Sequence, residues 1–145
     1  MGRFYIATRL ENHEAHRRHA AVLRERGHEI TYDWTEHGAV WRHGIKRVRD
    51  VAQLECAGVR EADGVLVLMP GGRGTHVELG LACALELPVV LVAPGREIDC
   101  SSDTCAFYHL PNVLALRAEV TTPAETVETL VEWARHWSEQ HRSRE

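Results

Sequence analysis

The stretch Pro70-Gly71-Gly72-Arg73-Gly74-Thr75-His76-Val77-Glu78-Leu79-Gly80 holds the chain's densest set of groups able to do chemistry. Its clustered glycines let backbone approach a ligand closely and reach positive φ. An apolar run precedes it and a helical pattern follows, so the unpaired N–H groups of a helix start would face whatever the turn encloses. The pattern puts Glu78 in the first helical turn, where the macrodipole favours an ionised carboxylate by ~0.3–1 kcal/mol at an exposed site. A carboxylate kept charged in a crevice can act as a nucleophile. Acidic residues also favour helix starts for purely structural reasons, so both readings stand at this point. Gly72, Gly74 and His76 share the turn and are candidate ligand contacts. Arg73 is either a further cation or simply solvated.

The elements needed to hold such a turn can be read outward from it. Short apolar runs alternate with amphipathic stretches, the mark of βαβ units and a parallel sheet. Strands are expected at Phe4–Ala7, Glu29–Tyr32, Gly64–Met69, Pro88–Ala93 and Val113–Leu116. Gly64–Met69 is continuously apolar, as a strand covered on both faces would be. Helices are expected at Asn12–Arg26, Ile45–Glu61, Thr75–Glu86 and from Thr121 or Thr122 to about Gln140, with Pro123 near N1. The second helix should bury Val48, Val51, Ala52 and Leu54–Cys56. Asp33–Gly44 and Pro94–Pro111 read as loops, and Ser143–Glu145 as a frayed end. The sum is an α/β fold, a flavodoxin-like doubly wound five-stranded parallel sheet in a single domain over residues 1–145.

Ligands of such sheets sit beyond the carboxyl ends of the strands. That directs attention to Thr8–Asn12, Asp33–Gly44, Pro70–Glu78 and Pro94–Leu110. Trp34 could stack on a base, and Asp33 could accept from an amine or hydroxyl; a capped turn with Trp34 on the core edge is the plain alternative.

At 145 residues the length suits one domain. A net charge of −4 and a pI near 6.2 speak against a nucleic-acid surface and leave a small-molecule partner open. The longest apolar run, Leu87–Pro94, is too short for a membrane span, and no secretory leader is evident, so a cytoplasmic location is expected. Cys56, Cys83, Cys100 and Cys105 form no CxxC pair. His13, His16 and His19 recur every third residue, make no i, i+4 metal pair, and read as solvated or partly buried. Neither a metal nor a redox cofactor is expected. The Thr8–Asn12 loop lacks the Ser/Thr and Gly run that would cradle a flavin phosphate.

Gly74-Thr75-His76-Val77-Glu78-Leu79-Gly80, on an apolar strand ending in a Gly-rich turn, resembles the nucleoside 2-deoxyribosyltransferase superfamily, which includes nucleotide N-glycosidases. Thr31–Thr35 and Thr104–Pro111 resemble an uncharacterised bacterial subgroup of it. The resemblance implies that Glu78 attacks the anomeric carbon, displaces the base and forms a glycosyl ester. Water resolves the ester in the hydrolases and a second base does so in the transferases. It also implies a second acid eight residues before Asp63, which is Glu55 here, where relatives carry aspartate. A tyrosine near the nucleophile falls on Phe4 in this correspondence, with Tyr5 one residue later, so Tyr108 becomes a substitute donor. Thr8, Arg9 and Asn12 match a phosphate-binding loop, although Glu11 opposes it. The Phe107–His109 segment, including Tyr108 and His109, would reach a neighbouring subunit's pocket in a homodimer. The implied function is N-glycosidic cleavage of a nucleoside or its 5′-monophosphate. Base exchange, or a nucleotide sensor without catalysis, are the alternatives.

Overall fold

A computed structural model describes residues 1–142; the expected frayed end at Ser143–Glu145 lies outside them. Strands β1 (Arg3–Ala7), β2 (Glu29–Ile30), β3 (Gly64–Leu68), β4 (Val89–Ala93) and β5 (Val113–Arg117) form one parallel sheet in the order β2-β1-β3-β4-β5. This is the flavodoxin-like order. Helices are α1 (His13–Glu25), α2 (Ile45–Arg60), α3 (Arg73–Ala84), the short α4 (Gly95–Asp99) and α5 (Pro123–Arg142).

Every residue of β3 and β4 is buried, which explains why both read as unbroken apolar runs. Side chains alternate between two layers, as the two-residue period of a strand demands. Phe4, Ile6, Leu66, Leu68 and Val90 pack with Leu23 of α1 and Val127 and Leu130 of α5. Tyr5, Ala7, Val65, Val67 and Leu91 pack with Val59 of α2 and Leu79 and Ala82 of α3. The α5 start follows the expected pattern: Thr122 Oγ1 accepts from Glu125 N at 3.2 Å, ahead of Pro123 at N1.

Four expectations need correction. β2 ends at Ile30 rather than Tyr32; Thr31 N still donates to Phe4 O, but its hydroxyl donates to Gly58 O and the chain then turns away. The Pro94–Pro111 loop contains α4 and a 3-10 turn at Ala106–His109. α2 buries Val51, Gly58 and Val59, whereas Val48, Ala52 and Leu54 are exposed; Val48 borders an open crevice rather than core. His16 and His19 are buried, not solvated. The cysteines are free thiols. Among the described residues, no helix is long and apolar enough to cross a membrane, and no group of three or more His, Cys, Asp or Glu could hold a metal ion.

Candidate active site

β1 leads outward to β2, while its neighbour β3 leads to β4 on the other side. The loops that follow β1 and β3 therefore diverge, and a crevice of about 330 Å³ opens between them. Its floor is made by Glu78, Glu55, Gly72, Gly74 and Thr75.

The turn into α3 depends on small residues, though for a different reason than the sequence suggested. Gly71, Gly72 and Gly74 are not among the positive-φ glycines, which are Gly27, Gly38 and Gly44. Close approach is what requires Gly71: a Cβ there would lie 2.8 Å from Thr75 Cγ2. Thr75 is buried, and its hydroxyl accepts from Gly72 N at 3.0 Å, locking the turn to the helix.

α3 begins at Arg73 rather than Thr75, so Glu78 is its sixth residue and lies beyond the first turn. The macrodipole acts mainly within that first turn, and the expected electrostatic support for an ionised Glu78 is lost. Burial dominates instead and pushes the Glu78 carboxyl up to about 8. The Tyr5 hydroxyl opposes this and the Glu55 charge reinforces it. Oε2 of Glu78 is buried without a hydrogen-bond partner. Glu55 is likewise raised by burial, with His37 pulling the other way. Two carboxyl groups thus share one crevice, each biased toward holding its proton.

Tyr5 decides the tyrosine question. Phe4 faces the opposite layer and packs edge-on against His28 with ring centroids 5.4 Å apart, so it is not the residue beside Glu78. Tyr5 faces Glu78. Its own pKa is driven far up, first by burial and then by the Glu78 and Glu55 charges, so it remains a proton donor. The hydroxyl acts on Glu78 electrostatically, yet its oxygen completes no hydrogen bond of good geometry. Gly58 makes this placement possible. A Cβ there would stand 3.0 Å from Tyr5 Cδ2 and 2.9 Å from Tyr32 Cβ, so only glycine lets α2 descend onto the ring.

The other candidates divide. Thr8, Arg9 and Trp34 line the crevice. Thr8 is buried and donates to Leu68 O at 2.8 Å while accepting from Asn12 Nδ2 at 3.0 Å. These two residues thus join β1 to β3 instead of presenting free donors, and Asn12 is not part of the lining. Arg9 is half-exposed, with only a 3.9 Å approach to Glu11. Trp34 is nearly buried, donates Nε1–H to Ile6 O at 3.0 Å and packs edge-on against His16, so it is wall rather than a free stacking platform. Arg73 is exposed.

Asp33, His76, Tyr108 and His109 are not among the residues that line the crevice. Asp33 caps its own turn, accepting from Thr35 N at 3.1 Å, from the Thr35 hydroxyl, and from Arg24 at 3.0 Å. Burial pushes its carboxyl up, but these donors outweigh that and hold it below the usual range. His76 donates Nδ1–H to Gly72 O at 2.9 Å and accepts the Tyr108 hydroxyl at Nε2, 2.8 Å away, with the two rings stacked. Both ring nitrogens are thereby used, and Tyr108 serves His76 rather than Glu78. His109 pairs with Thr104 at 2.8 Å.

Several crevice residues escaped sequence reasoning: Leu10, Val40, Trp41, Val48 and Val51 build an apolar wall, and His37 stands at its far end. The available signal was Trp41, a tryptophan within a polar loop. It is 67% exposed, with the Arg42 guanidinium 5.0 Å from its ring centroid. An apolar wall facing two carboxyls suits a ligand with a flat, weakly polar part and a hydroxylated part.

Over residues 4–109 the chain matches the sequence profile described as nucleoside 2-deoxyribosyltransferase. Comparison with curated proteins gave no match. Among solved structures, the CMP N-glycosidase BcmB of Clostridium botulinum superposes with a TM-score of 0.57 at 16% identity, covering 88% of this chain and 96% of that one. At that identity the likeness is one of fold.

Proposed function

The chain belongs to the nucleoside 2-deoxyribosyltransferase family, and from that premise we propose that it cleaves the N-glycosidic bond of a nucleoside or nucleoside 5′-monophosphate, with Glu78 as nucleophile. The observation that carries this reading is the unpartnered Glu78 Oε2 on the floor of a 330 Å³ crevice, with Glu55 and Tyr5 beside it.

The base lies along Val40, Trp41, Val48 and Val51, and the sugar lies over Gly72, Gly74 and Glu78. Ionised Glu78 attacks C1′, and the C1′–N bond breaks with its electron pair leaving on the base nitrogen. Protonated Glu55 supplies the proton that nitrogen takes up. A water then attacks C1′ of the ester, returns its proton to Glu55 and frees Glu78. A second base in place of that water would give base exchange. Tyr5 donates toward the ionised form of Glu78 and offsets part of its burial. This chemistry calls for no metal or redox cofactor.

The test is release of free base from a panel of nucleosides and their monophosphates, followed by chromatography. Glu78→Gln should lower turnover by on the order of 10³-fold or more. Because Glu78 must be ionised while Glu55 holds its proton, kcat/KM should pass through a maximum with pH, one limb of which is set by the Glu78 carboxyl at about 8. Unimpaired turnover by Glu78→Gln would remove the proposal, and binding without base release would make the domain a nucleotide sensor.

The working unit we propose is a homodimer in the cytoplasm. Phe107 and Val77, on neighbouring elements, are each more than half exposed and offer apolar surface for a second copy. Sedimentation should give the mass of two chains; the mass of one would dismiss the dimer.

A further inference from the structure

The crevice continues past the far end of its apolar wall. His37 and Val40 line it and also line a second cavity of about 460 Å³, which His43, Lys46, Arg47 and Asp50 complete. Helix α2 runs beside both and orders what each can hold. Val48, Val51 and Glu55 line the crevice, and their spacing of three and four residues sets them on one face of the helix. Lys46 and Arg47 precede them. Arg47 stands eight residues before Glu55, which is ~12 Å along the axis. A nucleoside with its sugar over Glu78 and its base on Val51 and Val48 therefore points the outer edge of the base, not the sugar, at the second cavity.

The chemistry there differs from that of the wall. In a chain of net charge −4, the cavity sets two permanent cations and two imidazoles against a single carboxylate. Lys46 Nζ donates to Asp50 Oδ2 at 3.0 Å, so that carboxylate is taken. Arg47 is half-buried and, among the described residues, has no carboxylate partner. His37 stands at the junction. Its Nδ1–H donates to Gly38 O at 2.9 Å, while Nε2 is buried without a partner. Unprotonated, Nε2 would accept from an amino group on the base; protonated, it would donate to an anion. Lys46 and Arg47 favour the anion, and its charge once seated would hold a proton on His37. A base with only an amino group at this edge would leave Arg47 unanswered.

We propose that the second cavity takes a carboxylate carried on the outer edge of the base, with Arg47 as the residue that selects it. The preferred ligands are then nucleosides of acid-bearing bases rather than of unsubstituted ones. The inference rests on the reading of the Glu78 crevice as a nucleoside pocket. A carboxylate can accept two parallel N–H···O bonds from a guanidinium. A carboxamide of the same shape cannot, because one of its two ends is itself a donor.

The test is calorimetric titration of the full chain, in a Glu78→Gln background that prevents turnover. Uridine is compared with two derivatives substituted on the ring carbon away from the sugar, one a carboxylate and the other its carboxamide. The carboxylate should bind ~10-fold or more tightly than either of the others. Lys46→Ala and Arg47→Ala together should erase that gap, while the carboxamide's affinity and the melting temperature stay near their starting values. Equal affinity for carboxylate and carboxamide overturns the subsite before any residue of the cavity is changed, and a gap that survives the double substitution does the same. Inorganic phosphate that binds as tightly as the carboxylate nucleoside also overturns it, by showing a general anion site. The carboxylated free base separates this inference from the reading beneath it. If that base binds in a manner that depends on its charge and on Arg47 while no nucleoside binds, the subsite stands and the Glu78 reading falls instead.

Discussion

The two layers covering the sheet rest on the same strands yet are built to different ends. On the α1/α5 side, Phe4, Ile6, Leu66 and Val90 meet Leu23, Val127 and Leu130 in an apolar contact with no carboxyl group among its members. On the α2/α3 side lie Tyr5, Glu55 and Glu78; the Tyr5 hydroxyl and Glu78 Oε2 are buried without hydrogen-bond partners, and burial raises both carboxyls. Burying an acid without a full set of partners costs stability. Both layers carry apolar core, and the α2/α3 layer differs in bringing two carboxyl groups, each raised by burial, against it.

Substitutions can break or sharpen that contrast. The largest stability effect is expected in the apolar layer: Leu130 is fully buried, so Leu130→Ala should cost about 2–5 kcal/mol in chemical denaturation. The folded fraction should keep its kcat, since Leu130 faces away from the crevice. An equal loss of kcat would mean the layers are not separable.

Next in size, Glu78→Gln should stabilise the protein by about 1–3 kcal/mol at high pH. The sign follows from the raised carboxyl. Between its ordinary value of 4.5 and about 8 the folded state holds a proton the unfolded state has lost, so wild-type stability declines as pH rises across that window. The glutamine variant should show a flatter dependence. Parallel curves for the two proteins would place the titrating cost elsewhere.

The smallest effect is expected from Tyr5→Phe, which removes one hydroxyl and changes stability by less than about 1 kcal/mol. Because that hydroxyl lowers the Glu78 pKa, its loss should move the limb of the kcat/KM profile that Glu78 sets toward higher pH. An unmoved profile would show that Tyr5 merely packs.

Much of the fold was legible because it rests on local periodicity. The unbroken apolar runs of β3 and β4 and the Thr122–Pro123 start of α5 are each set within a few residues. Of the candidate site, Glu78 and the turn glycines were readable from type and spacing, while Glu55, Tyr5, Thr8 and Arg9 came only from the family resemblance. Asp33 and His76, read from the sequence as ligand contacts, each have a protein partner that the sequence did not reveal. Asp33 is satisfied by Thr35 and Arg24, and His76 by Gly72 and Tyr108. A polar residue on a loop looks available until the groups folded against it are known.

Alternation and glycine placement, then, were enough to establish a parallel α/β sheet and to set a carboxylate near the helix start that follows its central strand. Tertiary structure alone decided that carboxylate's charge. Glu78 meets Tyr5 from β1 and Glu55 from α2, groups far away along the chain, and their approach through the Gly58 gap removes the water that would keep it ionised. Solvation at a point is a sum over everything packed around it, and no local stretch of sequence contains that sum.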